Sequence, residues 1–212
     1  MIRSEVFNRD CLEAMKEFPD NHFCLAVCDP PYGINASKGT WGSSNKGKVT
    51  NYEKKDWDKS IPNNEYFKEL KRVSKNQIIW GGNFFGLQAS NCWLVWDKLN
   101  TADFADCELA WTSFESAIRK FSYRWNGMIQ GDMKNKEIRI HSCQKPVALY
   151  DWIFNNYATE GMKILDTHLG SQSSRISAYK YKMDFTGYEL DTDYFAQGCK
   201  RFEDFKSQLT LF

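Results

Sequence analysis

Phe23-Cys24-Leu25-Ala26-Val27-Cys28-Asp29-Pro30-Pro31-Tyr32 is the stretch that decides the fold. Its six consecutive apolar residues suit a strand buried on both faces, and the Asp-Pro-Pro-Tyr turn ends that strand abruptly. Upstream, Glu5–Asn8 reads as a short strand, and Asp10 opens a helix predicted over residues 11–18, with Leu12, Met15 and Phe18 at helical spacing. Asp10 and Glu13 form a capping-box pattern, and Pro19-Asp20-Asn21 stops the helix. Two strands around one helix make a βαβ unit.

Downstream, residues 33–60 are rich in Gly, Ser, Asn and Lys with no sustained period, and a loop that long is expected to be either a substrate lid or partly disordered. A helix is predicted over 64–73, strands over 77–80, 92–96 and 108–111, and a turn at Gly81-Gly82-Asn83. Residues 113–140 show little period. Pro146 is expected as the first residue of a helix running to Tyr157, followed by a strand over 163–166, a helix over 173–182, a strand over 184–189 and a closing helix over 193–205. Strands alternating with helices at this spacing imply one domain with a doubly wound, mostly parallel α/β sheet. Ligands of such sheets sit beyond the carboxyl ends of the strands, and Asp10, Asp29, Asp166 and Glu189 all fall at or just after predicted strand ends.

The composition sets limits. A chain of 212 residues, 42% hydrophobic and 26% charged, can bury a core without disulfides, and its seven cysteines form no CxxC. Only three histidines are present, so no metal site is expected. No apolar run reaches the roughly 20 residues of a membrane span, and the first residues lead into no signal-peptide core, so a cytoplasmic setting is expected. Net charge is +1, but residues 33–60 and 113–140 each carry six basic residues against three acids. Either both windows are solvated loops or they face a polyanion.

Among the tryptophans, Trp80, Trp93, Trp96 and Trp111 sit in apolar strand contexts and read as core. Trp41 lies in a Gly/Ser/Lys loop after Tyr32, where it either packs locally or stacks on a base.

With Asp29-Pro30-Pro31-Tyr32 in place, the sequence resembles the amino-methyltransferases that use S-adenosylmethionine to modify the exocyclic nitrogen of adenine or cytosine in DNA. A ring-conjugated amino group is a poor nucleophile, so acceptors must hold it while a methyl arrives. The Asp29 carboxylate and the Pro30 carbonyl can supply two, the paired prolines fix the backbone, and Tyr32 offers a ring to a flipped base. The resemblance makes Asp29, Pro30, Pro31 and Tyr32 the catalytic set.

Ile164-Leu165-Asp166-Thr167-His168-Leu169-Gly170-Ser171-Gln172-Ser173 is similar to the family's cofactor loop, whose FxGxG pattern here reads His168, Gly170, Gln172. Two of the three signature positions depart from it. Gln172 either crowds the turn or has become a ligand contact. His141-Ser142-Cys143-Gln144-Lys145-Pro146 matches the HxxQKP segment by the methionine end of the cofactor, and Glu189 stands where the family places an acid on the ribose hydroxyls. The resemblance thus implies a cofactor site of Asp10, Cys11, His141, Lys145, Pro146, Asp166, His168, Gly170, Ser171, Ser173, Glu189 and Leu190. For Asp10 a plain helix cap is an equal reading, and both can hold together.

The catalytic motif precedes the cofactor loop, the beta-group order, and the likeness spans nearly the whole chain except 33–60 and 113–140. It implies a compact orphan or phage-borne enzyme acting on double-stranded DNA, as monomer or homodimer, with a lid at 33–60 and a short target-recognition region near 113–140. The expected DNA contacts are Trp41, Lys46, Lys48, Arg119 and Lys120. Asp at the head of the motif favours adenine N6 over cytosine N4, for which Ser is commoner. A DNA-binding module with a degenerate cofactor loop is the competing class.

Overall fold

The computed structural model describes residues 2–36, 55–100, 105–126 and 129–209. Its sheet has eight strands: β1 (Ser4–Phe7), β2 (Phe23–Cys28), β3 (Ser74–Trp80), β4 (Trp93–Asp97), β5 (Cys107–Thr112), β6 (Arg119–Ser122), β9 (Lys163–Asp166) and β10 (Asp184–Tyr188). Between β6 and β9 in the chain lies a small separate hairpin of β7 (Trp125–Asn126) and β8 (Ile129–Gln130). The sheet order is β1-β10-β9-β2-β3-β5-β4-β6. All pairs are parallel except those that β5 makes with β3 and β4.

The apolar run Phe23–Cys28 becomes β2, between β9 and β3. Its period of two divides the core as a strand requires. Leu25 and Val27 face a cluster with Ile78, Trp80, Leu94, Leu149, Ile153 and Phe154, while Ala26 and Cys28 face another with Met15, Leu70, Ile79, Trp111 and Leu165. Trp80, Trp96 and Trp111 are fully buried, and Trp93 is half-buried.

Helices α1 (Cys11–Met15), α2 (Asn64–Val73), α3 (Val147–Tyr157), α4 (Ser173–Lys180) and α5 (Thr192–Leu209) connect the strands. The expectations need correction at their ends. Helix α1 stops at Met15, because Glu17 and Phe18 bond back three residues, to Ala14 and Met15, in a tightened turn ahead of Pro19. Helix α4 stops at Lys180, two residues early, and Lys182 is left-handed at φ 55°. Strand β3 begins at Ser74, three residues early, because α2 runs into it without a loop.

Pro146 is the cap of α3 rather than its first residue, with extended backbone at φ −70° and ψ 149°. The Val147 N–H is satisfied from outside the helix, donating to Glu137 Oε1 at 2.9 Å. The 113–140 stretch holds strand β6 and the β7–β8 hairpin, too short to leave a period.

Candidate active site

Because β9, β10, β1 and β2 run parallel, residues at their carboxyl ends meet on one rim: Asp10 after β1, Asp29 after β2, Asp166 at the end of β9 and Glu189 after β10. Strand β5 runs the other way, so its first residues reach the same rim.

The turn Asp29–Tyr32 is fixed by charge. Asp29 Oδ1 accepts a hydrogen bond from the Tyr32 hydroxyl at 2.6 Å, and Oδ2 accepts one from Lys145 Nζ at 2.5 Å. Lys145, 4% exposed in its side chain, also lies 3.1 Å from Glu108 Oε2 on β5, and Lys98, just beyond β4, binds Glu108 at 2.5 Å. The order is Lys98, Glu108, Lys145, Asp29, Tyr32, with charges alternating along the first four. Burial disfavours the Lys145 ammonium, but Asp29 and Glu108 outweigh it and raise its pKa above the ordinary lysine range. Burial likewise works against the Glu108 charge, yet Lys145 and Lys98 bring its carboxyl down to about 2. For Asp29 burial prevails over Lys145, Glu108 adds to it, and the pKa is raised.

The turn is also braced sterically. Asp58, 1% exposed, takes the N–H groups of Tyr32 and Gly33 on Oδ1 at 2.7 and 2.8 Å and that of Ala36 on Oδ2 at 2.7 Å. The Tyr32 ring stacks on Phe84 at 5.1 Å and lies over Gly81, where a Cβ would come within 2.1 Å of it.

The turn after β9 is fixed by backbone conformation. Gly170 is left-handed at φ 47°, and its N–H donates to Glu189 Oε2 at 2.8 Å, while Glu189 Oε1 takes the Asp191 N–H at 2.9 Å. Burial raises the Glu189 pKa against these bonds. Leu190 projects beside it, 69% exposed. Asp166 accepts from Ser174 Oγ at 2.5 Å and from the His168 N–H at 3.0 Å, and burial pushes its carboxyl up to about 7. His168 is pushed down to about 4 by burial, with Thr167 on its Nδ1 at 2.9 Å. Asp10 caps α1 through the Glu13 N–H at 3.0 Å, and burial raises the adjacent Cys11 thiol to about 12.

Gln172 is left-handed too, at φ 61°, and completely buried. Its side chain lies against α5, where a Cβ on Gly198 would come within 2.7 Å of its Cγ, and its Oε1 accepts from Arg175 at 2.9 Å. It therefore fills the α4–α5 seam. Arg201 of α5 donates to the Ser171 carbonyl at 2.6 Å, to Ser173 Oγ at 2.9 Å and to Glu137 at 2.6 Å. Since Glu137 also accepts the Val147 N–H at the start of α3, one arginine ties the turn after β9 to the segment that carries Lys145.

His141 joins the two halves. Its ring lies 4.2 Å from Tyr194 and 5.1 Å from Trp57, a Cβ at Gly170 would sit 3.8 Å from it, and burial brings its pKa down to about 4. Lys55 binds Asp191 at 2.7 Å and Asp193 at 2.8 Å. Residues 55–58 thus touch the segment after β10 through Lys55 and the Asp29–Tyr32 turn through Asp58.

Of the expected DNA contacts, Arg119 and Lys120 are not brought to this site. They start β6 at the far edge of the sheet, four strand spacings or about 19 Å from β2, and Lys120 pairs with Asp97 at 3.2 Å. Trp41, Lys46 and Lys48 lie outside the described residues. Among the described residues no group of His, Cys, Asp and Glu is arranged to hold a metal, and no helix is long and apolar enough to cross a membrane. The sequence reading missed Glu108, Lys98, Asp58 and Arg201. Glu108 had one signal, a lone carboxylate heading the otherwise apolar strand Glu108-Leu109-Ala110-Trp111.

No family model matches the chain. It is 24% identical over 241 residues to the Type II methyltransferase M2.MboI of Moraxella bovis, covering 94% of this chain and 87% of that protein. Among solved structures, the M1.HpyAVI–SAM complex superposes with a TM-score of 0.57 at 16% identity, covering 95% of this chain and 100% of that one. The PvuII DNA methyltransferase, described as cytosine-N4-specific, superposes with a TM-score of 0.59 at 13% identity, covering 97% of this chain and 92% of that one. The chain is thus similar in sequence to a Type II methyltransferase and in fold to solved DNA methyltransferases.

Proposed function

We propose that the protein methylates the N6 amino group of adenine in double-stranded DNA, with S-adenosylmethionine as methyl donor. The observation that carries this reading is the half-buried Asp29 carboxylate, pinned at the carboxyl end of a central strand by Tyr32 and Lys145, with Glu189 two strands away. Neighbouring strands are about 4.8 Å apart, so the two carboxylates are separated by roughly 10 Å across the sheet. That span suits an extended adenosyl amino acid: Glu189 would hold its ribose, and the methyl it supplies would be used beside Asp29. The left-handed Gly170 beside the Glu189 carboxylate suits such a ligand, because no side chain stands between them. When bound, the cofactor supplies an electrophilic methyl group.

The protein's own residues do the rest. Asp29 and the Pro30 carbonyl accept hydrogen bonds from the target amino group, localising its lone pair on nitrogen. Lys145 and Tyr32 hold Asp29 in one orientation, so that no reorganisation is needed as charge develops. Asp58 fixes the backbone of the turn. Asp rather than Ser before the prolines supports adenine, whereas the likeness to a cytosine-N4 enzyme keeps that base as the second reading. A relative in Moraxella bovis supports a bacterial cytoplasmic setting.

The test is tritiated methyl transfer to unmethylated DNA followed by nucleoside chromatography. Label in N6-methyladenine is expected. Label in N4-methylcytosine selects the second reading, and DNA binding with no cofactor heat in calorimetry selects the binding module.

A further inference from the structure

We infer that Glu108 is a positioning residue which, through Lys145, leaves Asp29 free to take up the proton that the target nitrogen must lose. The inference rests on the proposed methyl transfer. Once the amino nitrogen has gained a methyl group it carries one positive charge and one proton too many. That proton passes to Asp29, the carboxylate becomes a neutral carboxyl group, and the proton is later released to water.

The charge array makes this uptake feasible. With Asp29 ionised, Lys98, Glu108, Lys145 and Asp29 sum to zero. After uptake, Lys145 still faces Glu108 at 3.1 Å, so the buried ammonium keeps a partner, and the excess charge falls on Lys98, whose side chain is 18% exposed. Without Glu108, Asp29 would be the only carboxylate on that ammonium. Protonating it would strand a buried cation, a costly state that the fold would resist by holding Asp29 ionised. The Glu108 side chain is 24% exposed, but its Oε2 is buried toward Lys145, and a carboxylate with a buried oxygen needs a partner to persist.

Other groups face Asp29 as well: Tyr32 from its own turn, Asp166 from β9, Cys143 ahead of α3 and Tyr150 on α3. Asp166 adds a like charge when ionised, and the Cys143 thiol and Tyr150 hydroxyl are kept neutral by burial. Lys145 is therefore the cation through which Asp29 and Glu108 are coupled.

The test is a carbon-13 carboxyl titration of the full chain without cofactor, with the Asp29 signal assigned by its loss in Asp29→Asn. Glu108→Gln should lower the Asp29 midpoint by about one pH unit or more, because it removes a like charge. Lys98→Met, at the end of the array away from Asp29, should raise the midpoint. It gives an opposite-signed arm that survives if Glu108→Gln fails to fold. In methyl transfer, Glu108→Gln should move the acid limb of kcat/KM to lower pH and reduce the plateau by about three- to tenfold, as expected of a weaker base. A merely structural role would lower the plateau without moving the limb. Midpoints unchanged in both variants would overturn the inference. A wild-type protein that methylates no DNA would instead overturn the proposed function and the source of the proton, while the titrations would still decide whether Glu108 tunes Asp29.

Discussion

Two turns lie on the same rim of the sheet and are built on opposite principles. The turn after β2 is held by an ion array, with side chains from β5 and from the segment before α3 converging on Asp29. The turn after β9 is held by left-handed backbone at Gly170 and Gln172, by the Gly170 N–H on Glu189 and by Arg201 at its carbonyl and hydroxyl groups. The first depends on which side chains are present, the second on which backbone angles are reachable. Substitutions should therefore separate them, one class altering turnover and the other altering binding or stability.

The largest effect expected is that of Asp29→Ala. Loss of a contact made chiefly in the transition state should reduce methyl transfer by about a hundredfold or more while calorimetric cofactor affinity stays within a few-fold. Substantial residual turnover would remove Asp29 from the chemistry. Glu189→Ala should do the reverse. Hydrogen bonds to a charged group contribute about 1.5–3 kcal/mol, so cofactor binding should weaken by roughly ten- to a hundredfold, with turnover at saturation much less changed.

Acid should distinguish the turns next. The folded state favours neutral His141 and His168, each brought to about 4 from an ordinary 6.5. Between those values the folded protein binds fewer protons than the unfolded chain, so their contribution is intact above pH 6.5 and is lost as pH falls toward 4. Asp166, raised to about 7, acts in the opposite sense: its contribution is present at low pH and is lost as pH rises toward 7. Urea titrations of the double variant His141→Asn, His168→Asn should thus show a protein that gains stability on acidification from pH 7 to 4.5 relative to the parent. An unchanged profile would mean that neither imidazole is held neutral.

The smallest effect belongs to Gln172→Gly. Relief of a left-handed residue favours the variant by about 1 kcal/mol, and loss of seam packing and of the Arg175 partner opposes it. Net stability should move by less than about 1 kcal/mol, with cofactor affinity unaltered. A clear change in affinity would place the side chain at the ligand rather than in the seam.

These differences explain what the sequence could reveal. The Asp29–Tyr32 turn was readable because the proposed chemistry needs four particular residues in one uninterrupted run at a strand end. Its supporting charges were not, because Lys145 stands 116 residues from Asp29 and only the parallel sheet brings them together. Gln172 read either as crowding the turn or as a ligand contact, since a motif records the usual glycine but not the seam that can hold another residue in the same conformation. Helix α2 and strand β9 were legible to the residue, because Asn63 caps the one and a buried apolar run defines the other. The 113–140 region was not, since β6 reads Arg-Lys-Phe-Ser and is mostly exposed, so no apolar alternation announces it.

Gly81 carries a consequence for moving this chemistry between proteins. Its backbone is left-handed at φ 70°, and the space a side chain would take is occupied by the Tyr32 ring. The working unit is thus bipartite: four contiguous residues on one strand end and an obligatory void at the end of the neighbouring strand. Grafting the four residues alone onto another parallel sheet would transplant half a device, and the recipient's residue opposite the tyrosine would decide whether the ring, and with it the hydrogen bond to the carboxylate, could take its place.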